Sequence, residues 1–306
     1  MKPNSFTMLR AMTRIRAFET ALAARPDHGF QLLSSGEEAV AVGLSSALNA
    51  GDQLLTGGRS IGPVIARGAD PRRVMAELLG KTDGMNGGRA GRGHLSDPGS
   101  GFFGAHAVVG GNISIAAGVA LAKQLDDDGS IVAVLFGDGA CGSGALHETL
   151  NMAAIWKLPL LFVCNNNQWS VSTARQDALA PRRLSDIGAT FGLPACTIDG
   201  LDVEGVAATI GEAADKIRQG HGPAFVECTS IRLRSHSTTA RETRKRQELA
   251  ELLTHCPIRR QIARLGLDED TVEMLDREAA EFAAEALAFA EASPYPSAAG
   301  VLTDVG

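Results

Sequence analysis

Two polar residues, each at the end of an apolar run, are the strongest chemical signal in the chain. Ile131 to Phe136 breaks at Gly137-Asp138-Gly139, and Leu160 to Cys164 ends in Asn165-Asn166-Asn167. A carboxylate and an amide oxygen brought to one place suit a hard divalent ion, and Mg²⁺ typically takes one or two protein oxygens and completes its shell with phosphate oxygens. Read literally, Gly137 to Gly142 also satisfies the GxGxxG pattern of a dinucleotide-binding loop. In that loop Asp138 would set a carboxylate beside a pyrophosphate, and the acidic residue expected about 20 positions on for the ribose hydroxyls is absent, since the next strand ends in asparagines. A diphosphate held through a metal is the better reading. A nicotinamide-dependent oxidoreductase is the alternative.

The elements that must position these residues follow from the pattern around them. A helical stretch from about Ala145 to Lys157 joins the two apolar runs, and Pro159 opens the second. Short buried strand, helix, short buried strand is a parallel βαβ unit. Its strands point the same way, so Asp138 and Asn167 reach the same carboxyl-end edge, where open α/β sheets bind ligands. The fold class is therefore α/β, an open, mainly parallel sheet with helices on both faces. Upstream, Phe6 to Ala24 is an amphipathic helix. Ser35 is placed to cap a helix over Gly36 to Leu48, with Glu38 completing a capping box. Gln53 to Thr56 is a short strand, Arg59-Ser60 opens a helix to about Arg67, and Pro71 sits in the first turn of another. Lys81 to Gly104 holds eight glycines with Arg89, Arg92 and His94 and no apolar period; such a loop can wrap an anion. Gly111 to Gln124 is helical. Beyond the asparagines come a polar loop to Pro181, a strand at Ala195 to Ile198, a helix over Asp202 to Arg218 and a strand at Pro223 to Ile231. Ser235 to Arg246 is polar, basic and expected to be mobile, and Asp268 to Ala292 is a long closing helix.

A chain of 306 residues with 44% hydrophobic content can bury a large core. Its net charge of −6 speaks against nucleic acid as the main partner. No apolar run approaches the roughly 18 residues that span a bilayer. The five cysteines are scattered without a CxxC pair, so neither zinc nor a disulfide framework is indicated and a cytoplasmic location fits.

The motifs also resemble a family. GDG, a helix and NN, with Asp138 and Asn167 29 positions apart, are similar to the thiamine-diphosphate motif. Phe103 to Gly110 with Gly118 to Ala122, Asn151 to Pro159, Gly36-Glu37-Glu38-Ala39, and Arg234-Ser235-His236-Ser237 look like the alpha subunits of 2-oxo acid dehydrogenases of the pyruvate, branched-chain and acetoin type. The likeness runs from about Thr7 to Ser293. It implies one thiamine-diphosphate-binding α/β domain over residues 1–306, with an N-terminal helix at about 6–24 and a C-terminal helical extension at about 246–292. It implies Mg²⁺ held by Asp138, Asn167 and the backbone carbonyl of Trp169. The turn Gly137, Asp138, Gly139 and Ala140 would meet the diphosphate, with the N–H groups of Gly139 and Ala140 at a helix start, and Arg59 would bind the same group. Ala107 and Val109 would hold the aminopyrimidine ring, and His236 would stand over the reacting carbon. The activity implied is decarboxylation of a small-molecule 2-oxo acid and transfer of its acyl unit to a lipoyl acyltransferase. A beta subunit would supply the activating glutamate in an α₂β₂ assembly.

Four positions depart from that pattern. Leu32 stands where the family usually has histidine, Gly58 where it has tyrosine and Ile61 where many relatives have histidine. The loop after His236 reads Thr238-Thr239-Ala240-Arg241 in place of the usual Asp-Pro and Tyr-Arg words. The residues that hold the cofactor are retained and those that handle substrate have drifted. A thiamine-dependent carboligase of a specialised pathway is accordingly a second reading, and a non-catalytic scaffold a third.

Overall fold

The computed structural model describes residues 4–25, 27 and 29–302. At its centre β3 (Val132–Gly137) and β4 (Leu160–Asn166) lie side by side and parallel, joined by α6 (Gly144–Trp156). Their register pairs Val132 with Leu160 and Gly137 with Asn165, so Asp138 and Asn167 leave the sheet at one edge, as the βαβ reading requires. The other strands are β1 (Gln53–Thr56), β2 (Phe102–Ala105), β7 (Ala195–Asp199) and β8 (Ala224–Thr229). The sheet order is β2-β1-β3-β4-β8-β7, parallel throughout. The chain winds outward in opposite directions from β1 and β3, and that reversal opens a crevice above their carboxyl ends.

Both faces of the sheet are covered, which is why its strands are continuous apolar runs instead of alternating ones. Ala133, Leu135, Leu161, Val163 and Val226 pack on one side with residues of α2 (Glu38–Ala47), α4 (Pro71–Leu78), α9 (Val203–Lys216) and α12 (Glu269–Ala292). Val132, Val134, Phe136, Leu160, Phe162 and Phe225 pack on the other with α5 (Gly111–Asp126), α6 and α8 (Ser185–Thr190). Each buried valine, leucine or phenylalanine among them contributes on the order of 1.5–3 kcal/mol. Helix α1 (Ser5–Ala23) lies along α12, and α10 (Arg246–Thr254) and α11 (Pro257–Leu265) lead into that last helix. No described helix is long and apolar enough to cross a membrane.

Five details differ from the sequence reading. The Ser35 hydroxyl does not cap α2; it lies 3.5 Å from Glu19 Oε2, and α2 starts at Glu38 without a side-chain cap. The buried Glu19 carboxylate claims this segment by accepting from Ser34 N (2.8 Å) and Ser34 Oγ (2.6 Å). Glu38 does not complete the capping box either: its Oε2 accepts from Gly36 N at 2.8 Å, and not from the backbone of Ser35. Gly139 and Ala140 sit in a 3₁₀ turn, Asp138–Gly142, and the helix opens only at Gly144. β2 forms inside the glycine-rich stretch, where four residues on a sheet edge leave too short a period to recognise. The polar loop after β4 folds into a hairpin, β5 (Trp169–Ser170) with β6 (Thr173–Ala174), followed by the short α7 (Arg175–Ala178).

The basic loop after His236 is tied down. Arg244 is buried and donates to the carbonyls of Arg232 and Arg234 and to Glu242. Thr238 N donates to Gln31 O at 3.0 Å. Charge alone suggested a solvated segment, but the carbonyls around Arg232 need donors and Arg244 supplies them.

Candidate active site

The crevice at the carboxyl ends of β1, β3 and β4 holds a cavity of about 330 Å³. It is lined by Asp138, Gly137, Gly139, Ala140, Asn167, Trp169, Arg59, Ala107, Val109 and His236, so every candidate residue read from the sequence converges there. A larger groove of about 730 Å³ lies between α1, α11 and α12. Its walls are mostly alanine and aliphatic and it contains none of these residues, so size alone does not choose the site.

Asp138 follows β3 directly and is buried. Its Oδ1 accepts from Gly139 N at 3.1 Å, while Oδ2 is buried with no partner among the described residues. Burial raises the Asp138 pKa, against the pull of the Gly139 N–H and the positive charges of Arg232 and Arg175. A buried carboxylate oxygen left without a donor is costly unless a cation completes it.

The three asparagines alternate along the end of β4 as strand residues do. Asn165 and Asn167 face one buried acid: Asn165 Nδ2 donates to Glu37 Oε2 at 2.6 Å and Asn167 Nδ2 to Glu37 Oε1 at 2.8 Å. Asn166 turns the other way and donates to Glu227 at 2.7 Å. With its amino group committed to Glu37, Asn167 keeps its oxygen on the other side, where it accepts from Trp169 N at 3.0 Å. Burial raises the Glu37 carboxyl, while Arg59 and the Asn167 amide lower it. Arg232 Nη1 reaches Trp169 O across 3.5 Å, a long contact. A carboxylate, an oriented amide and a backbone carbonyl thus come from three residues that line one cavity, and oxygen donors of this kind suit Mg²⁺, which keeps several water or phosphate ligands. Among the described residues there is no cluster of three His, Cys, Asp or Glu that would favour a softer ion.

Arg59 and His236 form the facing wall. Arg59 Nη1 donates to Leu33 O, and Nη2 reaches His236 O at 3.1 Å and His236 Nδ1 at 3.3 Å. Its Nε lies 3.6 Å from Glu37. Guanidinium has no acceptor, so Nδ1 accepts and a neutral His236 carries its proton on Nε2. Burial, then the charges of Arg59 and Arg232, pull the His236 pKa down to about 4. Arg232 is itself lowered to about 10, by burial and by Arg59 and Arg244. The third wall is open: Val108 and Val109 are 63% and 67% exposed.

Two buried charged residues around this cavity carried no role in the sequence reading. Glu37 was visible only as part of a motif, and an acid followed by an otherwise apolar helix was the available clue to its burial. Arg232 lies just past the strand read at Pro223 to Ile231 and three residues beyond the end of β8, where nothing in the local pattern marked it as buried.

Residues 7–299 match the family model described as the dehydrogenase E1 component. The alpha subunit of the pyruvate dehydrogenase E1 component of Rhizobium meliloti is 35% identical, over 99% of this chain and 90% of its own length. The corresponding Zymomonas mobilis subunit is 38% identical over 90% of this chain and 80% of its own. The alpha subunit of the acetoin:2,6-dichlorophenolindophenol oxidoreductase of Bacillus subtilis is 34% identical over 97% and 92%.

Proposed function

The chain belongs to the dehydrogenase E1 component family, as an alpha subunit of a thiamine-diphosphate-dependent 2-oxo acid dehydrogenase, and we propose that its Asp138 cavity holds the cofactor's diphosphate through Mg²⁺. The observation that carries this reading is the buried Asp138 Oδ2, which has no partner among the described residues, in the cavity that Asn167 also lines. Asp138, Asn167 Oδ1 and Trp169 O are the protein's ligands to the ion. The Gly139 and Ala140 N–H groups and Arg59 meet the diphosphate, and glycine at 139 is required because a Cβ there would run into Ser170. Once an anion engages Arg59, the guanidinium has less hold on His236.

When bound, thiamine diphosphate supplies the nucleophilic carbon that adds to a 2-oxo acid and lets CO₂ leave. The protein positions the reactants and stabilises charge. His236, neutral and protonated on Nε2, donates to the substrate carbonyl oxygen as charge develops on it. Ala107 and Val109 support the ring end of the cofactor. That end of the cavity is open, which fits a beta subunit closing it and supplying the activating glutamate in an α₂β₂ assembly in the cytoplasm. The acyl unit passes to a lipoyl acyltransferase. A carboligase handing the acyl unit to an aldehyde is the second reading, favoured by Leu32 and Gly58 in the cavity wall.

The test is a titration of thiamine diphosphate with Mg²⁺ into the assembled alpha–beta complex and its Asp138→Ala form. The variant should lose Mg²⁺-dependent binding. Unchanged affinity would remove the basis of the assignment.

A further inference from the structure

The side of the cavity beside His236 is an apolar wall built by residues that take no part in holding a metal or a diphosphate. Gly58 precedes Arg59 in the chain, and Leu32 precedes Leu33, whose carbonyl accepts from Arg59 as that of His236 does. Leu32 and Gly58 both line the cavity, together with Phe30. Gly58 contributes no side chain. A Cβ at that position would come within 3.0 Å of Leu32 Cδ1, so Leu32 occupies the space that a side chain at position 58 would need.

Phe30 is 42% exposed, yet it does not stand alone. The Arg92 guanidinium lies over its ring, 3.4 Å from the centroid, a cation–π contact that braces the ring from outside the cavity lining. Arg92 has no carboxylate partner among the described residues. It is held through its backbone, because Ser60 Oγ donates to Arg92 O at 3.2 Å. The glycine-rich stretch before it is gathered by buried Glu77, which accepts from the N–H groups of Asn86, Gly88, Ala90 and Gly91. Around the reacting position the chain thus presents two hydrogen-bonding groups, Arg59 and His236, and a braced hydrocarbon surface.

We propose that Phe30, Leu32 and Gly58 are specificity-determining residues that shape this wall for an acyl donor whose side chain is apolar and larger than a methyl group, a branched-aliphatic or aryl 2-oxo acid in place of pyruvate. The inference rests on the thiamine-diphosphate reading above. Pyruvate's methyl group would leave most of the wall in contact with water, whereas a larger side chain covers it. A methylene more or less in an apolar pocket changes kcat/KM by roughly tenfold or more.

The test uses the complex of this chain with its beta subunit, loaded with Mg²⁺ and thiamine diphosphate, cofactor binding being measured separately by titration. Decarboxylation of pyruvate, 3-methyl-2-oxobutanoate and phenylpyruvate is compared by kcat/KM. One of the larger acids should exceed pyruvate by about tenfold. Gly58→Val, which presses on Leu32, should lower kcat/KM for the larger acids at least fivefold more than for pyruvate. Leu32→Ala needs no extra room and guards against misfolding; it should raise KM for the larger acids with kcat nearly constant, and weaken inhibition by saturated acids of the same side chains. Pyruvate preferred by the unsubstituted complex, or both variants affecting all three acids alike, would overturn the proposal. Cofactor binding with no 2-oxo acid decarboxylated would overturn the reading beneath it, and the proposal with it.

Discussion

Glu37 Oε1 accepts from the Asn167 amide across 2.8 Å, and its second oxygen accepts from Asn165, joining the start of α2 to the end of β4. An acid here fixes which end of the Asn167 amide faces the cavity, the task of a supporting residue behind the ligand of the proposed metal site. Glu37→Ala should therefore weaken Mg²⁺ and thiamine diphosphate binding by about 10- to 100-fold, measured by calorimetry on the alpha–beta complex. Glu37→Gln keeps one acceptor oxygen and should lose less. Wild-type affinity in the alanine variant would mean that Asn167 is held by something else.

Asp138 is a liability until a cation reaches it. Its pKa is raised by burial, so the fold favours its protonated form. Its charge therefore opposes folding above the unfolded pKa, and falling pH relieves that opposition. Asp138→Asn should accordingly leave the thermal midpoint of the cofactor-free chain no lower than that of the wild type. The wild type should gain about 2.7 kcal/mol of stability when Mg²⁺–thiamine diphosphate is present at a hundred times its Kd, and the variant should gain nothing. A cofactor-free variant that melts well below wild type would show that the carboxylate is already satisfied.

His236 offers a check that needs no turnover. Its pKa is lowered to about 4 by burial and by Arg59 and Arg232, against an ordinary value of about 6.5. The native fold prefers the neutral ring, so this contribution to stability is present above about pH 6.5 and is lost as pH falls toward 4. A proton NMR titration of the ring should find its midpoint near 4. Inorganic pyrophosphate, by neutralising Arg59, should move the midpoint upward, and Arg59→Gln should do the same. A midpoint near 6.5 with no response to either would remove Arg59 as the cause.

The parts legible in the sequence were those set by local pattern. Continuous apolar runs ending in GDG and NNN gave the parallel unit and the sheet edge that Asp138 and Asn167 share, and the long periodic helices fell within a residue or two of their observed ends. What stayed hidden depends on contacts between distant segments. Glu19 takes the serine hydroxyls that a local rule assigns to a helix cap, and Arg244 immobilises a loop that its own composition describes as solvated. The apolar wall was foreshadowed by Leu32 and Gly58, but nothing near Arg92 in the chain reveals that it lies on Phe30.

Glu77 is the clearest case of such a distant contact, and it yields the prediction with the least dependence on chemistry. It is fully buried on α4, and its two oxygens accept from four backbone N–H groups at 2.7 to 3.0 Å. Glycine at 84 is needed because a Cβ there would come within 2.7 Å of Glu77 Cα. Hydrogen bonds to a charged group contribute about 1.5–3 kcal/mol each, but amides released by a substitution recover water. Glu77→Ala should thus cost about 3 kcal/mol in all. Glu77→Gln should fall between, because its NH₂ would confront two N–H donors. Hydrogen exchange is the discriminating measurement: the amides of Asn86, Gly88, Ala90 and Gly91 should lose protection together, and by more than the amides of β3 and β4, which fall only by the loss of global stability. Because the same loop carries Arg92, binding of a large saturated acid should weaken in parallel. If the four amides stay protected in Glu77→Ala, the loop is shaped by its own glycines and not by the carboxylate.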